Sequence, residues 1–129
     1  MSTKCILLID DEKDLSAVIQ TCLRKLGGWK VLIAQSGREG LQKAGTEQPD
    51  AILLDVMMPD MDGFTVLSKL QGDPVTQNIP VILLTAKVQP ADHHQYALLG
   101  VAGVITKPFD PLKISRQVAE KLGWSSEAR

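Results

Sequence analysis

Residues 5–12 read Cys5-Ile6-Leu7-Leu8-Ile9-Asp10-Asp11-Glu12, five apolar side chains that break off into three acids. The run is strand-sized and does not alternate, so it predicts a strand covered on both faces, as in a parallel sheet between helices. Four further runs repeat it: Val31 to Ala34, Ala51 to Leu54, Val81 to Leu84 and a weaker one, Val101 to Ile105, broken by Gly103. Their starts are separated by 26, 20, 30 and 20 residues, room each time for one helix and two turns. That is the cadence of repeated βαβ units.

The intervening segments carry helix signals. Leu15, Val18, Ile19, Cys22, Leu23 and Leu26 fall on one helical face, and Gly27 and Gly28 stop it. Ser36 followed by Glu39 is a capping box that opens a second helix, which closes before Pro49. Asp62 or Gly63 opens a third, carrying Phe64, Leu67 and Leu70, and a fourth with a less regular pattern is expected from about Ala91 to Leu99. Asp110 with Pro111 reads as an N-cap and first helical position, with Ile114, Val118 and Leu122 lining one face until Gly123. The fold class expected is therefore α/β, a flavodoxin-like doubly wound (βα)5 with a five-stranded parallel sheet in the order 2-1-3-4-5.

Composition bounds the alternatives. The chain has 129 residues, 44 % hydrophobic and 22 % charged, and 14 Lys plus Arg against 15 Asp plus Glu give a net charge of −1. That suits one folded domain rather than a disordered chain. The longest apolar runs have about five residues, against the roughly 20 that cross a bilayer, so no membrane association is expected. No secretory signal is visible in the first residues, and a cytoplasmic location is expected. Cys5 and Cys22 read as reduced core thiols. No Lys/Arg run exceeds two residues, which gives no footprint for direct nucleic-acid binding.

In such a fold, ligands bind beyond the carboxyl ends of the strands. Asp10 and Asp11 follow the first run, Asp55 closes the third, Thr85 the fourth, and Lys107 lies just past the fifth. The second run ends blandly in Ala34 and Gln35, as suits an edge strand away from the site. Three converging carboxylates repel one another unless protonated or bound to a cation. An all-oxygen set without His or Cys favours a hard ion, Mg²⁺ rather than Ca²⁺. With an ammonium and a hydroxyl on the rim, the set reads as a phosphoryl clamp in which a fixed carboxylate, centrally Asp55, serves as nucleophile.

Four motifs, Ile9-Asp10-Asp11-Glu12, Leu54-Asp55-Val56-Met57-Met58-Pro59-Asp60-Met61-Asp62-Gly63, Leu84-Thr85-Ala86 and Lys107-Pro108-Phe109, stand in order, with successive separations of 44, 30 and 22 residues from Asp11 to Asp55, from Asp55 to Thr85 and from Thr85 to Lys107. Together they resemble the CheY-like receiver domain of two-component response regulators, over roughly residues 4 to 122. The resemblance implies that Asp55 accepts a phosphoryl group from a histidine kinase or histidine phosphotransfer protein. It implies Mg²⁺ held by Asp11, Asp55 and the Met57 carbonyl, with Asp10 acting through water. Thr85 and Lys107 would contact phosphoryl oxygens, Ala86 would leave access, and Pro108 would follow a cis peptide bond. The expected organisation is a receiver at 1–123 followed by residues 124–129, which read as a short tail too small to hold an output domain. Such a single-domain response regulator signals to a downstream protein that the sequence does not identify. The resemblance implies no enzyme with its own substrate, but a domain that assists only its own phosphorylation and dephosphorylation. Receivers often carry Tyr or Phe near the start of the fifth strand; the corresponding residue here is Val104.

Rival readings have less support. A nucleotide-binding enzyme of this fold needs a glycine-rich turn where Asp10, Asp11 and Glu12 stand. An aspartyl-phosphate hydrolase of the haloacid dehalogenase type sets a second Asp two positions after its nucleophile, where this chain has Met57 after Asp55 and Glu12 after Asp10. An interaction module of receiver shape that is never phosphorylated stays open. Asp60 and Asp62 read as turn residues, His93 and His94 as a solvated helix face, and Lys113, Arg116 and Lys121 as surface charge.

Overall fold

The computed structural model describes residues 3–86, 96 and 98–124. Five parallel strands, β1 (Cys5–Ile9), β2 (Lys30–Ala34), β3 (Ala51–Asp55), β4 (Val81–Thr85) and β5 (Gly103–Thr106), form one sheet in the order β2-β1-β3-β4-β5. Among the described residues the helices are α1 (Lys13–Gly27), α2 (Gly37–Glu47), α3 (Gly63–Gln71) and α4 (Ile114–Leu122). None is long and apolar enough to cross a membrane.

Because successive side chains of a strand point to opposite faces, each non-alternating run feeds two cores. Ile6, Leu8, Leu53, Ile82 and Leu84 pack with Ile19 and Leu23 of α1 and Ile114 and Val118 of α4. Leu7, Ile9, Ile52, Leu54 and Leu83 pack on the other face with Ala44 of α2 and Val66, Leu67 and Leu70 of α3. The helix ends follow local chemistry. Gly28, at φ 74°, closes α1 in the left-handed region that glycine adopts without a Cβ clash. The Ser36 side chain accepts from the Glu39 N–H at 3.1 Å, while the Glu39 carboxylate reaches back to the N–H of Gln35 at 2.8 Å.

Several expectations are revised. The last helix starts at Ile114, not at Pro111: Asp110 Oδ1 accepts from the Leu112 N–H at 2.9 Å and its carbonyl accepts from Lys113 at 2.9 Å. That closes a separate Asx-type turn before the helix begins. The fifth strand starts at Gly103 rather than Val101. Its glycine is a packing position, since a Cβ there would run into the Lys121 side chain crossing from α4. On α3 the buried stripe is Gly63, Val66, Leu67 and Leu70, which leaves Phe64 at its exposed margin. Trp124, expected in the tail, packs edge-on against Trp29 with ring centroids 5.5 Å apart. The helix expected from Ala91 to Leu99, with His93 and His94, lies outside the described residues except at Tyr96, Leu98 and Leu99.

Candidate functional site

Parallel register brings the strand ends together. Ile9 pairs with Leu54, Asp55 with Leu84, and Thr85 with Thr106. Asp10 and Asp55 therefore leave the sheet at the same level, Thr85 lies one residue beyond the partner of Asp55, and Lys107 follows directly. Backbone bonds fix three of these exits: Asp10 N–H to Ala34 at 3.0 Å, Val56 N–H to Leu84 at 3.1 Å, and Lys107 N–H to Thr85 at 2.8 Å. The Lys107–Pro108 peptide bond is cis.

The loop after β3 folds back over the sheet, where the Gly63 N–H donates to the Val56 carbonyl at 2.9 Å. A Cβ at Gly63 would lie 2.7 Å from the Asp55 carbonyl oxygen and 2.7 Å from Val56 Cα, so α3 can start this close to the site only from glycine. Asp62 caps α3, its Oδ1 accepting from Thr65 at 2.8 Å. Asp60 caps a different helix, with both carboxylate oxygens 3.1 Å from the Gly37 N–H at the start of α2. Sequence reading places both as turn residues and also offers Asp62 as the opening of the third helix; the attachment of Asp60, 23 positions away, has no local signal.

Asp10, Asp11 and Asp55 each offer a carboxylate oxygen, and these three atoms lie within 4.8 Å of one another. Asp10 and Asp55 are buried, whereas Met57 is 67 % exposed, its N–H donating to Asp55 Oδ1 at 3.1 Å. The Lys107 ammonium lies 3.3 Å from Asp55 Oδ1, 3.6 Å from Asp10 Oδ2 and 3.7 Å from Glu12 Oε1. Asp10 Oδ1 accepts from the Glu12 N–H at 2.9 Å, but its buried Oδ2 has no hydrogen-bond partner. Burial first, then the neighbouring Asp55 and Glu12 charges, push the Asp10 carboxyl up to about 6 against the pull of the Glu12 N–H and Lys107. Burial works to lower the Lys107 pKa, but the summed attraction of Asp10, Asp55 and Glu12 outweighs it and raises the pKa above the usual lysine value.

Ala86 and Lys107 line one groove with the apolar Leu15, Pro108, Phe109 and Pro111, so the mouth of the site has a greasy wall. Thr85 is buried, and its Oγ1 lies 3.3 Å from the hydroxyl of Tyr96. Sequence reading did not place Tyr96 here; its segment lacks the regular apolar spacing that would have fixed its face.

An open α/β sheet with acids, a hydroxyl and an ammonium gathered beyond its carboxyl edge is the architecture of a signalling receiver. Residues 6–119 match the family model of the response regulator receiver domain, and the chain belongs to that family. It is 38 % identical over 115 residues to the alkaline phosphatase synthesis transcriptional regulatory protein PhoP of Bacillus subtilis, covering 89 % of this chain and 47 % of PhoP. It is 41 % identical over 115 residues to the response regulator PleD of Caulobacter vibrioides, covering 88 % of this chain and 25 % of PleD. The chain thus spans about half or less of the length of these relatives. Its fold superposes on the chemotaxis response regulator CheY4 of Vibrio cholerae with a TM-score of 0.85 at 27 % identity, covering 93 % of this chain and 99 % of that one.

Proposed function

We propose that this receiver takes a phosphoryl group onto Asp55, with Mg²⁺ as cofactor, from a histidine kinase or histidine phosphotransfer protein, and changes conformation to signal to a partner protein. The observation that carries the reading is the Lys107 ammonium 3.3 Å from Asp55 Oδ1, beside three carboxylates whose oxygens approach within 4.8 Å.

The donor set suits a hard cation, being all oxygen, with the buried Asp10 Oδ2 left without a hydrogen-bond partner. Asp11, Asp55 and the Met57 carbonyl would hold Mg²⁺ directly and Asp10 through water; bound there, it supplies positive charge against phosphoryl oxygens. In the transfer, an Asp55 carboxylate oxygen forms the new bond to phosphorus. The bond to the donor's imidazole nitrogen breaks, and its electron pair leaves with the donor. Lys107, held charged by its acidic neighbours, stabilises the equatorial oxygens. In the resulting acyl phosphate the Thr85 hydroxyl donates to a phosphoryl oxygen, which favours one of two pre-existing states. The domain assists this step and the later attack of water on phosphorus, which returns the Asp55 carboxylate and releases inorganic phosphate, and it needs no other substrate.

Intact-mass measurement after incubation with acetyl phosphate and Mg²⁺ tests the assignment. One phosphoryl increment is expected in the wild type and none in Asp55→Asn or with a chelator. Equal labelling of Asp55→Asn overturns it.

A further inference from the structure

The Thr85 hydroxyl meets an aromatic side chain that comes from neither α3 nor β5. Tyr96, the one tyrosine of the chain, is 2 % exposed, and its hydroxyl lies 3.3 Å from Thr85 Oγ1. Its ring stacks on Phe64 at 6.0 Å with 17° between planes, and Phe64 is 38 % exposed on α3. On β5, Val104 packs against the same core as Tyr96 but brings no polar atom. A chain of contacts thus runs from the floor of the site through Tyr96 to an exposed ring.

We infer that Tyr96 is a positioning residue, whose hydroxyl holds Thr85 in the resting arrangement and is released when Thr85 turns to a phosphoryl group on Asp55. This rests on the phosphoacceptor reading above. A threonine hydroxyl has one proton, and its β-branched side chain occupies discrete χ1 wells. If Thr85 donates to Tyr96, donation to a phosphoryl oxygen takes that proton away. If Tyr96 donates to Thr85, the rotation that carries Oγ1 to the phosphoryl group breaks the contact. In both directions Tyr96 changes partner and its stack on Phe64 is disturbed. Phe64 then reports the state of Asp55 at the surface of α3.

The test uses the full chain labelled with ¹³C at tyrosine Cζ, which gives a single resonance, together with Mg²⁺ and beryllofluoride as the phosphoryl analogue. Saturation is expected to move that resonance. Tyr96→Phe keeps the ring and its packing but removes the hydroxyl, and is expected to bind the analogue about 2- to 10-fold more tightly, the factor for one neutral hydrogen bond lost from the resting state. A tyrosine resonance that stays in place at saturation overturns the inference, as does equal affinity in Tyr96→Phe. Should the backbone amides of Asp55 and Lys107 in the wild type ignore the analogue, the phosphoacceptor reading fails and this inference falls with it. Should they respond while Tyr96 does not, the inference alone is lost.

Discussion

Lys107 stands 3.3 Å from Asp55 and, through the same nitrogen, 3.6 Å from Asp10, so one ammonium bridges two buried carboxylates contributed by different strands. It occupies the electrostatic place that a divalent cation would share. Replacing Lys107 with Met removes a positive charge beside the acids. The variant is expected to bind Mg²⁺ roughly 5- to 10-fold more tightly by calorimetry, from Coulomb repulsion across a few ångströms at high effective dielectric. It is also expected to be phosphorylated more slowly by acetyl phosphate. Unchanged Mg²⁺ affinity would place the ammonium outside the cation's field.

Asp10 gives the metal-free protein a pH dependence of definite sign. Its carboxyl titrates at about 6 in the fold, against 3.8 for the unperturbed group. The folded state therefore holds a proton that the unfolded state releases. The stabilisation is complete below about pH 3.8, and is lost as pH rises through about 6. At roughly 1.4 kcal/mol per unit of pKa, the loss is on the order of 3 kcal/mol at most. Urea unfolding without metal is expected to show lower stability at pH 7.5 than at pH 5, with the difference largely abolished in Asp10→Asn. Mg²⁺ should stabilise more at pH 7.5, because protons compete with it at pH 5.

Two glycines with opposite surroundings make a paired test. At Gly63 a Cβ would lie 2.7 Å from backbone atoms of Asp55 and Val56, which have no flexible end to yield. Gly63→Ala is expected to cost about 1–3 kcal/mol in denaturant unfolding and to broaden the Asp55 amide signal. At Gly45, on α2, an added methyl group would meet nothing within 4 Å, and Gly45→Ala should stabilise by about 0.5–1 kcal/mol through helix entropy.

Asp60 joins the loop beyond β3 to the start of α2 by accepting from the Gly37 N–H at 3.1 Å and the Arg38 N–H at 3.4 Å. Asp60→Ala leaves those N–H groups uncapped. A loss of about 0.5–2 kcal/mol is expected, with faster hydrogen exchange at Gly37 and Arg38 measured by NMR. Exchange at these amides that matches the wild type would rule out the capping role.

The sheet was legible because each strand is a short apolar run covered on both faces, and the bland Ala34-Gln35 ending marked the edge. Asp10, Asp11, Asp55, Thr85 and Lys107 could be singled out together because each sits at, or just past, the end of such a run, where parallel register alone brings it to the crevice. What escaped depends on partners distant along the chain. Asp60 looks like any turn aspartate until α2 is placed beside it, and Tyr96 acquires a role only once its hydroxyl is set against Thr85. Gly103 reads as an interruption because its reason, the Lys121 stem, lies on another element. Asp110 carries a capping signal, but local hydrogen bonds spend it on a turn three residues early.

The salt link from Asp10 to Lys107 joins the outgoing end of the first strand to that of the last. During synthesis, the acids emerge long before the ammonium that balances them, since Lys107 lies 97 residues after Asp10. On the phosphoacceptor reading proposed above, reactivity toward phosphate donors would therefore require the completed sheet, because a chain without β5 in place lacks the Lys107 charge beside the acids.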